Sequence, residues 1–190
     1  VTGIDISPHS VAYAREHAVA GRMDILYLCQ SYLNMDYDRA FDVVTLIYCD
    51  FGVLSGADRK RLLEKVYRAL KPGGLFIADV CTMKQYEGWK EKSTWSFCDG
   101  GFWSEKPYAC FYSFYRYDGC RTFLDQYVIA EANNVRCFNI WNHGFKEQEL
   151  EDNLKAAGFG GVSFFGDVAG EALTEESKAI CMVARKAQGA

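Results

Sequence analysis

The near-continuous apolar run "FDVVTLIYCDF" (Phe41 to Phe51) constrains the fold more than any other stretch of the sequence. A strand of this kind offers water no polar face, so both of its sides must be covered, as in a parallel strand of an α/β layer. The following residues agree with that. From Ala57 to Leu70, Leu62, Leu63, Val66, Tyr67 and Leu70 share one helical stripe while Arg59, Lys60, Glu64 and Arg68 face away. "KPGG" (Lys71 to Gly74) ends that helix, because Pro72 cannot continue it and the glycines tolerate positive φ. "LFIADV" (Leu75 to Val80) is the next buried strand.

The same alternation begins at the first residue. Val1 to Ile6 reads as a short strand, Ser7 as an N-cap, Pro8 as the first helical position and the helix as running to about Ala20. "DILYLCQ" (Asp24 to Gln30) is a further strand. After Val80 the pattern changes: between Tyr86 and Trp141 lie 16 of the 29 aromatic residues, including all four Trp. The segment "YACFYSFYRYDGCRTFLDQYVIAEANNVRCFNIW" predicts three antiparallel strands, with a two-residue hairpin turn at Asp118-Gly119 and a weaker turn at Asn133-Asn134. Lys146 to Ala157 then predicts a helix with Leu150, Leu154 and Ala157 on one face, closed by Gly158. "GVSFFGD" and "AICMVARK" are the last two strands. Three parts follow: an α/β core over 1–81, an inserted antiparallel, aromatic-rich β cap over 82–145, and the rest of the core over 146–190.

Bulk properties narrow the partners. A net charge of −4 opposes a protein whose main work is gripping phosphate backbones, so nucleic acid is excluded as the expected partner. No apolar stretch approaches the ~18 residues of a membrane span, which predicts a cytoplasmic protein without a membrane partner. Eight cysteines show no C-x-x-C pair and have only three histidines beside them, which argues for reduced structural thiols and against a metal site.

Taken together, "GIDIS", "FDVVTLIYCDFGVL", "LKPGGLFIADV", "LKAAGFGGVSFFG" and "AICMVARK" resemble a class I S-adenosylmethionine-dependent methyltransferase of the small-molecule type. The resemblance implies a Rossmann-like sheet in the order 3-2-1-4-5-7-6 with strand 7 antiparallel, of which this sequence supplies strands 2 to 7. The family's first strand and its G-x-G-x-G loop would lie upstream of Val1, so the resemblance implies a truncated chain. Strand 1 belongs between strands 2 and 4, and without it two rows of backbone groups would face each other unpaired, at about 1–3 kcal/mol for each one buried. A strand from a second copy in a homodimer, a rearranged sheet, or residues ahead of Val1 would fill the gap. All three stay open at this point.

The resemblance also implies a site. Asp5, at the carboxyl end of its strand, would accept from the ribose hydroxyls of S-adenosylmethionine, with a helix-capping acid as the plainer reading. Ile6 would pack on the adenine. Ser31 stands where many relatives carry an Asp for the adenine amine, and Tyr32 would stack on the base; capping is the alternative for Ser31. Tyr48 and Asp50, closing "IYCDF", would line the junction of cofactor and substrate, with Asp50 orienting an amine or taking its proton. Trp103, Tyr112, Tyr115 and Trp141 would wall a small-molecule substrate, and His143 would serve as a general base. The acceptor atom is left open. The function implied is methyl transfer to a small molecule; the alternative is a methyltransferase-like chain deficient in cofactor binding that acts as a subunit or interaction module. A nicotinamide enzyme shares only the ribose acid.

Overall fold

A computed structural model describes residues 1–189. The chain forms β1 (Thr2–Asp5), α1 (Pro8–Ala20), β2 (Leu26–Cys29), β3 (Phe41–Leu46), α2 (Gly56–Ala69) and β4 (Leu70–Cys81). After these come β5 (Lys92–Cys98), β6 (Tyr108–Tyr117), β7 (Thr122–Glu131), β8 (Asn134–His143), α3 (Glu147–Ala156), β9 (Phe159–Phe165) and β10 (Ala179–Lys186). Local chemistry sets the helix starts. Ser7 Oγ accepts from the Ser10 N–H with Pro8 opening α1, and Ser55 Oγ accepts from the Asp58 N–H at 3.1 Å while donating to its carboxylate at 2.7 Å.

The sheet topology matches the family order except at its centre. β1 and β2 form a parallel pair. β3, β4, β10 and β9 form a second sheet in that order, with β10 antiparallel to both neighbours. β1 and β3 belong to different sheets, and between them runs an apolar cleft of about 680 Å³ lined by Val1, Thr2, Ile4, Val43, Val44 and Leu46 among others. The core is built beside this cleft. Phe76, Ala78 and Val80 of β4 are fully buried under Leu62, Leu63 and Val66 of α2 and Leu150 and Leu154 of α3. The intervening Leu75, Ile77, Asp79 and Cys81 are only half-buried, so one face of this sheet carries most of the apolar burial.

Three expectations are corrected here. The strand expected over Phe41 to Phe51 stops at Leu46, and Val43 is exposed, because the side of β3 that would meet β1 borders the cleft. Beyond it Tyr48 and Cys49 turn left-handed, at φ 83° and 62°, and Asp50–Val53 forms a 3-10 turn that sends Phe51 into the core. "KPGG" does not sit between helix and strand: α2 ends at Ala69, and Leu70 already pairs with Phe41, so the four residues form a bulge inside β4 with Gly73 at φ +80°. The three strands expected from Tyr108 to Trp141 are present as β6, β7 and β8, and a strand that was not expected, β5, precedes them in the sheet order β5-β6-β7-β8. The hairpin between β6 and β7 turns through Asp118–Cys120 with Arg121 left-handed, and that between β7 and β8 through residues 132–133, with Glu131 paired to Asn134.

Candidate active site

The carboxyl ends of β1, β2 and β3 converge on a crevice of about 490 Å³, lined by Ile4, Asp5, Ile6, Ser31, Tyr32, Leu33, Leu46, Ile47, Asp50 and Leu54. Open α/β sheets place ligands at this edge, and the size lies within the ~300–1,000 Å³ of ligand pockets. Five of the residues singled out from the sequence meet there: Asp5, Ile6, Ser31, Tyr32 and Asp50. They come from three consecutive strand ends, so the parallel alternation of the chain is what gathers them.

Each is held differently. Asp5 is exposed, and its Oδ1 accepts the Ser7 N–H at 2.7 Å, which pins the carboxylate across the start of α1. No hydrogen bond to Oδ2 occurs among the described residues. The capping reading is met on Oδ1, and Asp5 also lines the crevice. Ile6 is 74% exposed beside it, an apolar side chain without a covering partner. Ser31 caps the 3-10 turn Tyr32–Asn34, its Oγ accepting from the Leu33 N–H at 3.2 Å, so one of its lone pairs is committed while its proton is not. Tyr32 packs partly against the core, and burial together with Asp50 and Asp58 pushes its hydroxyl upward.

Asp50 carries the clearest electrostatic signal. Desolvation by the crevice walls, then the negative charges of Asp5 and Asp79, push its carboxyl above the ordinary range. Asp79 was missed at the sequence level, although an acid inside the apolar "LFIADV" was a legible anomaly. Its Oδ1 accepts the Cys49 N–H at 3.0 Å, which anchors the left-handed turn that aims Asp50. Tyr48 on the same turn is 90% exposed and does not line the crevice.

The remaining predicted residues do not meet as one wall. Strand register divides the four rings between the two faces of the cap sheet: Tyr112 pairs across to Tyr127 and Phe138, Tyr115 across to Leu124 and Trp141. Trp103 stacks on Phe138 with centroids 4.8 Å apart and so belongs to the cap's own packing. Tyr112 donates to Asp125 at 2.7 Å and packs against the small core of Tyr86, Phe114 and Phe123. Trp141 and His143 instead border a separate cleft of about 340 Å³ with Gly52, Val53, Ser55 and Arg59, on the far end of the 3-10 turn from Asp50.

His143 has a built environment. Its Nε2 meets Glu149 at 3.0 and 3.3 Å, and Glu149 also takes Arg121 Nη2 at 2.5 Å. Burial lowers the imidazole's proton affinity, Glu149 opposes this, and Arg59 and Arg121 reinforce it, for a net shift downward. A His held neutral and oriented by a carboxylate is a competent proton acceptor. Glu149 and Arg121 had no signal in the sequence, since only the fold brings them to residue 143. Among the described residues no cluster of three or more His, Cys, Asp and Glu is arranged to hold a metal.

Solved structures share this architecture. A S-adenosylmethionine-dependent methyltransferase from Clostridium acetobutylicum aligns over 98% of this chain and 74% of its own, with a TM-score of 0.73 at 16% identity. CalS10, an amino pentose methyltransferase from Micromonospora echinaspora solved with SAM bound, aligns over 98% and 73% with a TM-score of 0.56 at 17% identity. The fold is thus one shared with S-adenosylmethionine-dependent methyltransferases, with an antiparallel cap.

Family-level likeness concentrates in the first part of the chain: residues 1–74 match the family described as Methyltransferase domain. The carboxy-S-adenosyl-L-methionine synthase of Actinobacillus succinogenes is 38% identical over 79 residues, 40% of this chain and 32% of that protein. The demethylmenaquinone methyltransferase of Thermus thermophilus is 36% identical over 78 residues, 40% of this chain and 34% of that protein. The match therefore spans about a third of the length of these relatives.

Proposed function

We propose that this chain binds S-adenosylmethionine in the crevice at the ends of β1 to β3 and supports transfer of its methyl group to a small-molecule amine. The observation that carries the reading is the convergence of Asp5, Ile6, Ser31, Tyr32 and Asp50 on one crevice at the strand ends. The donor set suits an adenosyl group. Asp5 Oδ2 accepts a ribose hydroxyl, the exposed Ile6 lies under the adenine, and the Ser31 hydroxyl donates to a ring nitrogen. S-adenosylmethionine supplies an activated methyl on a positive sulfur. The protein's share is alignment and exclusion of water, for which few catalytic groups are required.

The acidic surroundings support an amine acceptor. Asp5 and Asp79 lie close enough to Asp50 to disfavour its charge, and a cation or an amine about to become one relieves that repulsion. Asp50, with its raised proton affinity, orients the nitrogen and takes its proton as the bond to carbon forms. His143 holds the polar end of the acceptor from the neighbouring cleft, with Trp141 beside it. Several proteins of like fold are named as acting on such groups, among them the sugar N-methyltransferase KedS8 from Streptoalloteichus. Incubation with methyl-labelled S-adenosylmethionine and a panel of amino sugars and simple amines tests the reading. Label appearing in an amine supports it, and label confined to hydroxyl or carbon acceptors overturns the amine assignment.

A second reading is favoured by the open cleft between β1 and β3. There a strand from a second copy fills the cleft and the chain acts as a subunit. Light scattering separates the two: a mass of twice 21.5 kDa supports the second reading, and a monomer that binds cofactor removes it.

A further inference from the structure

Among the eight cysteines, Cys49 and Cys81 stand apart. Their sulfurs are 3.4 Å from each other, at the ends of two neighbouring parallel strands. The β3–β4 register ends with Leu46 opposite Ala78, and the left-handed turn after β3 brings Cys49 against Cys81. Exposed cysteines such as Cys29, Cys120 and Cys137 have no such neighbour described. Two thiols in contact at the end of a sheet would by themselves be packing, as the apolar setting of each suggested from the sequence. Three further features argue for chemistry.

Cys49 sits left-handed, at φ 62°, after Tyr48 at φ 83°; two successive non-glycine residues in this region mark a segment held in place by its surroundings. The holding group is Asp79, whose Oδ1 takes the Cys49 N–H at 3.0 Å and whose Oδ2 lies 3.7 Å from Cys49 Sγ. The shared proton is divided unequally. The hydrogen bond to Cys49 and another to Tyr86 pull the Cys81 thiol down to about 7 against the effect of burial. Cys49 moves strongly the other way, through the same hydrogen bond, burial and the charge of Asp79. Two sulfurs 3.4 Å apart that share a hydrogen bond can act as an attacking and a resolving thiol. Both are half-buried, within reach of a small oxidant.

We propose that Cys49 and Cys81 are a redox-active dithiol that closes to a disulfide under a hydroperoxide and, by tying the Tyr48–Asp50 turn to the end of β4, changes the crevice beside it. The Cys81 thiolate attacks a peroxide oxygen, the O–O bond breaks, and Cys81 becomes a sulfenic acid while the released hydroxide takes the proton Cys81 gave up. Cys49 sulfur then attacks that of Cys81; the S–O bond breaks and its oxygen leaves as water with the Cys49 proton. With hydrogen peroxide, two thiols lose two electrons and two waters form. Closure from contact to a bond of about 2.05 Å moves the sulfurs together by roughly 1.4 Å, and the Tyr48–Cys49 turn is the segment placed to absorb it. The effect on the crevice rests on the functional reading above; the chemistry of the pair does not.

The test is stoichiometric hydrogen peroxide on the reduced protein, followed by alkylation, intact mass and peptide mapping. Expected are loss of two hydrogens, a cross-linked peptide pair containing Cys49 and Cys81, and reversal by dithiothreitol. Cys49→Ser should halt at a Cys81 sulfenic acid trapped by a 1,3-dione, and Cys120→Ser should behave as the parent. Cross-links mapping elsewhere, or Cys81 oxidising no faster than Cys29, overturn the proposal. Calorimetry with S-adenosylhomocysteine then reads the coupling, expected as a tenfold or greater change in affinity on oxidation. A disulfide that forms without altering affinity overturns the coupling alone, whereas absence of binding by the reduced protein overturns the functional reading and leaves the dithiol standing.

Discussion

Replacing Asp5 by Asn isolates the contact on which cofactor binding is argued. In the structure Oδ1 is committed to the Ser7 N–H at 2.7 Å, so the ribose hydroxyls are left to Oδ2. Asparagine keeps one oxygen, which stays with Ser7, and turns a donor NH2 toward hydroxyls that need an acceptor. The loss is one charge-assisted hydrogen bond, about 1.5–3 kcal/mol in general. Asp5 is exposed, so the lower half of that range applies, and the expected weakening is roughly 10- to 40-fold in Kd at ~1.4 kcal/mol per decade. The assay is calorimetric titration of S-adenosylhomocysteine into parent and variant. Thermal unfolding serves as the control: the retained oxygen still caps α1, so stability should change by no more than about 0.5 kcal/mol. A variant of parental stability whose affinity falls less than threefold would show that the carboxylate serves only the turn, and the ribose assignment would be wrong.

Other consequences concern charge and local stability. Asp50 has a folded-state proton affinity raised above its unfolded value, so its favourable contribution is present at acid pH and lost as pH rises from about 3.8 through the raised value. Asp50→Asn should therefore be slightly more stable than the parent at pH 7 while turnover falls about 100-fold; equal turnover would remove Asp50 from the chemistry. His143 is shifted downward, so its contribution to stability is present above the ordinary imidazole value near 6.5 and lost as pH falls below it. Glu149→Gln should lower its NMR titration midpoint further, since Glu149 is the group that raises it, and an upward move would contradict the ion-pair geometry. Hydrogen exchange should divide the sheets. The β4 and β10 amides exchange only on global unfolding, whereas the β1–β2 pair, two strands beside an open cleft, opens at lower free energy. Equal protection would mean that the cleft is filled in solution.

Most of the fold was legible where local chemistry and periodicity coincide. Ser7-Pro8 and the stripe through Leu62 and Val66 are read directly from capping and a 3.6-residue repeat, and α1 and α2 lie within a residue of those expectations. The run from Phe41 to Phe51 misled because hydrophobicity does not distinguish a strand from the turn after it: Val44 is half-buried in β3 and Phe51 fully buried by a 3-10 turn, yet both are apolar. β5 escaped notice since all but its last residue are exposed, and an edge strand without a buried face has no alternation to display. The crevice residues were accessible to sequence reasoning because consecutive parallel strands must end on one edge. The aromatic wall was not, because which face of the cap looks inward is decided by how the sheet docks on Tyr86 and the 3-10 turn, a tertiary choice.

The account's central claim is that an adenosyl group lies at the ends of β1 to β3. A crystal structure of the protein grown with S-adenosylhomocysteine tests it most directly. The account predicts nucleoside density with its sugar hydroxyls on Asp5 Oδ2, its base over Ile6 and beside Tyr32, and its sulfur toward Asp50. Nucleoside density in the cleft beside His143 or on the cap, with the Asp5 carboxylate turned to solvent, would contradict it.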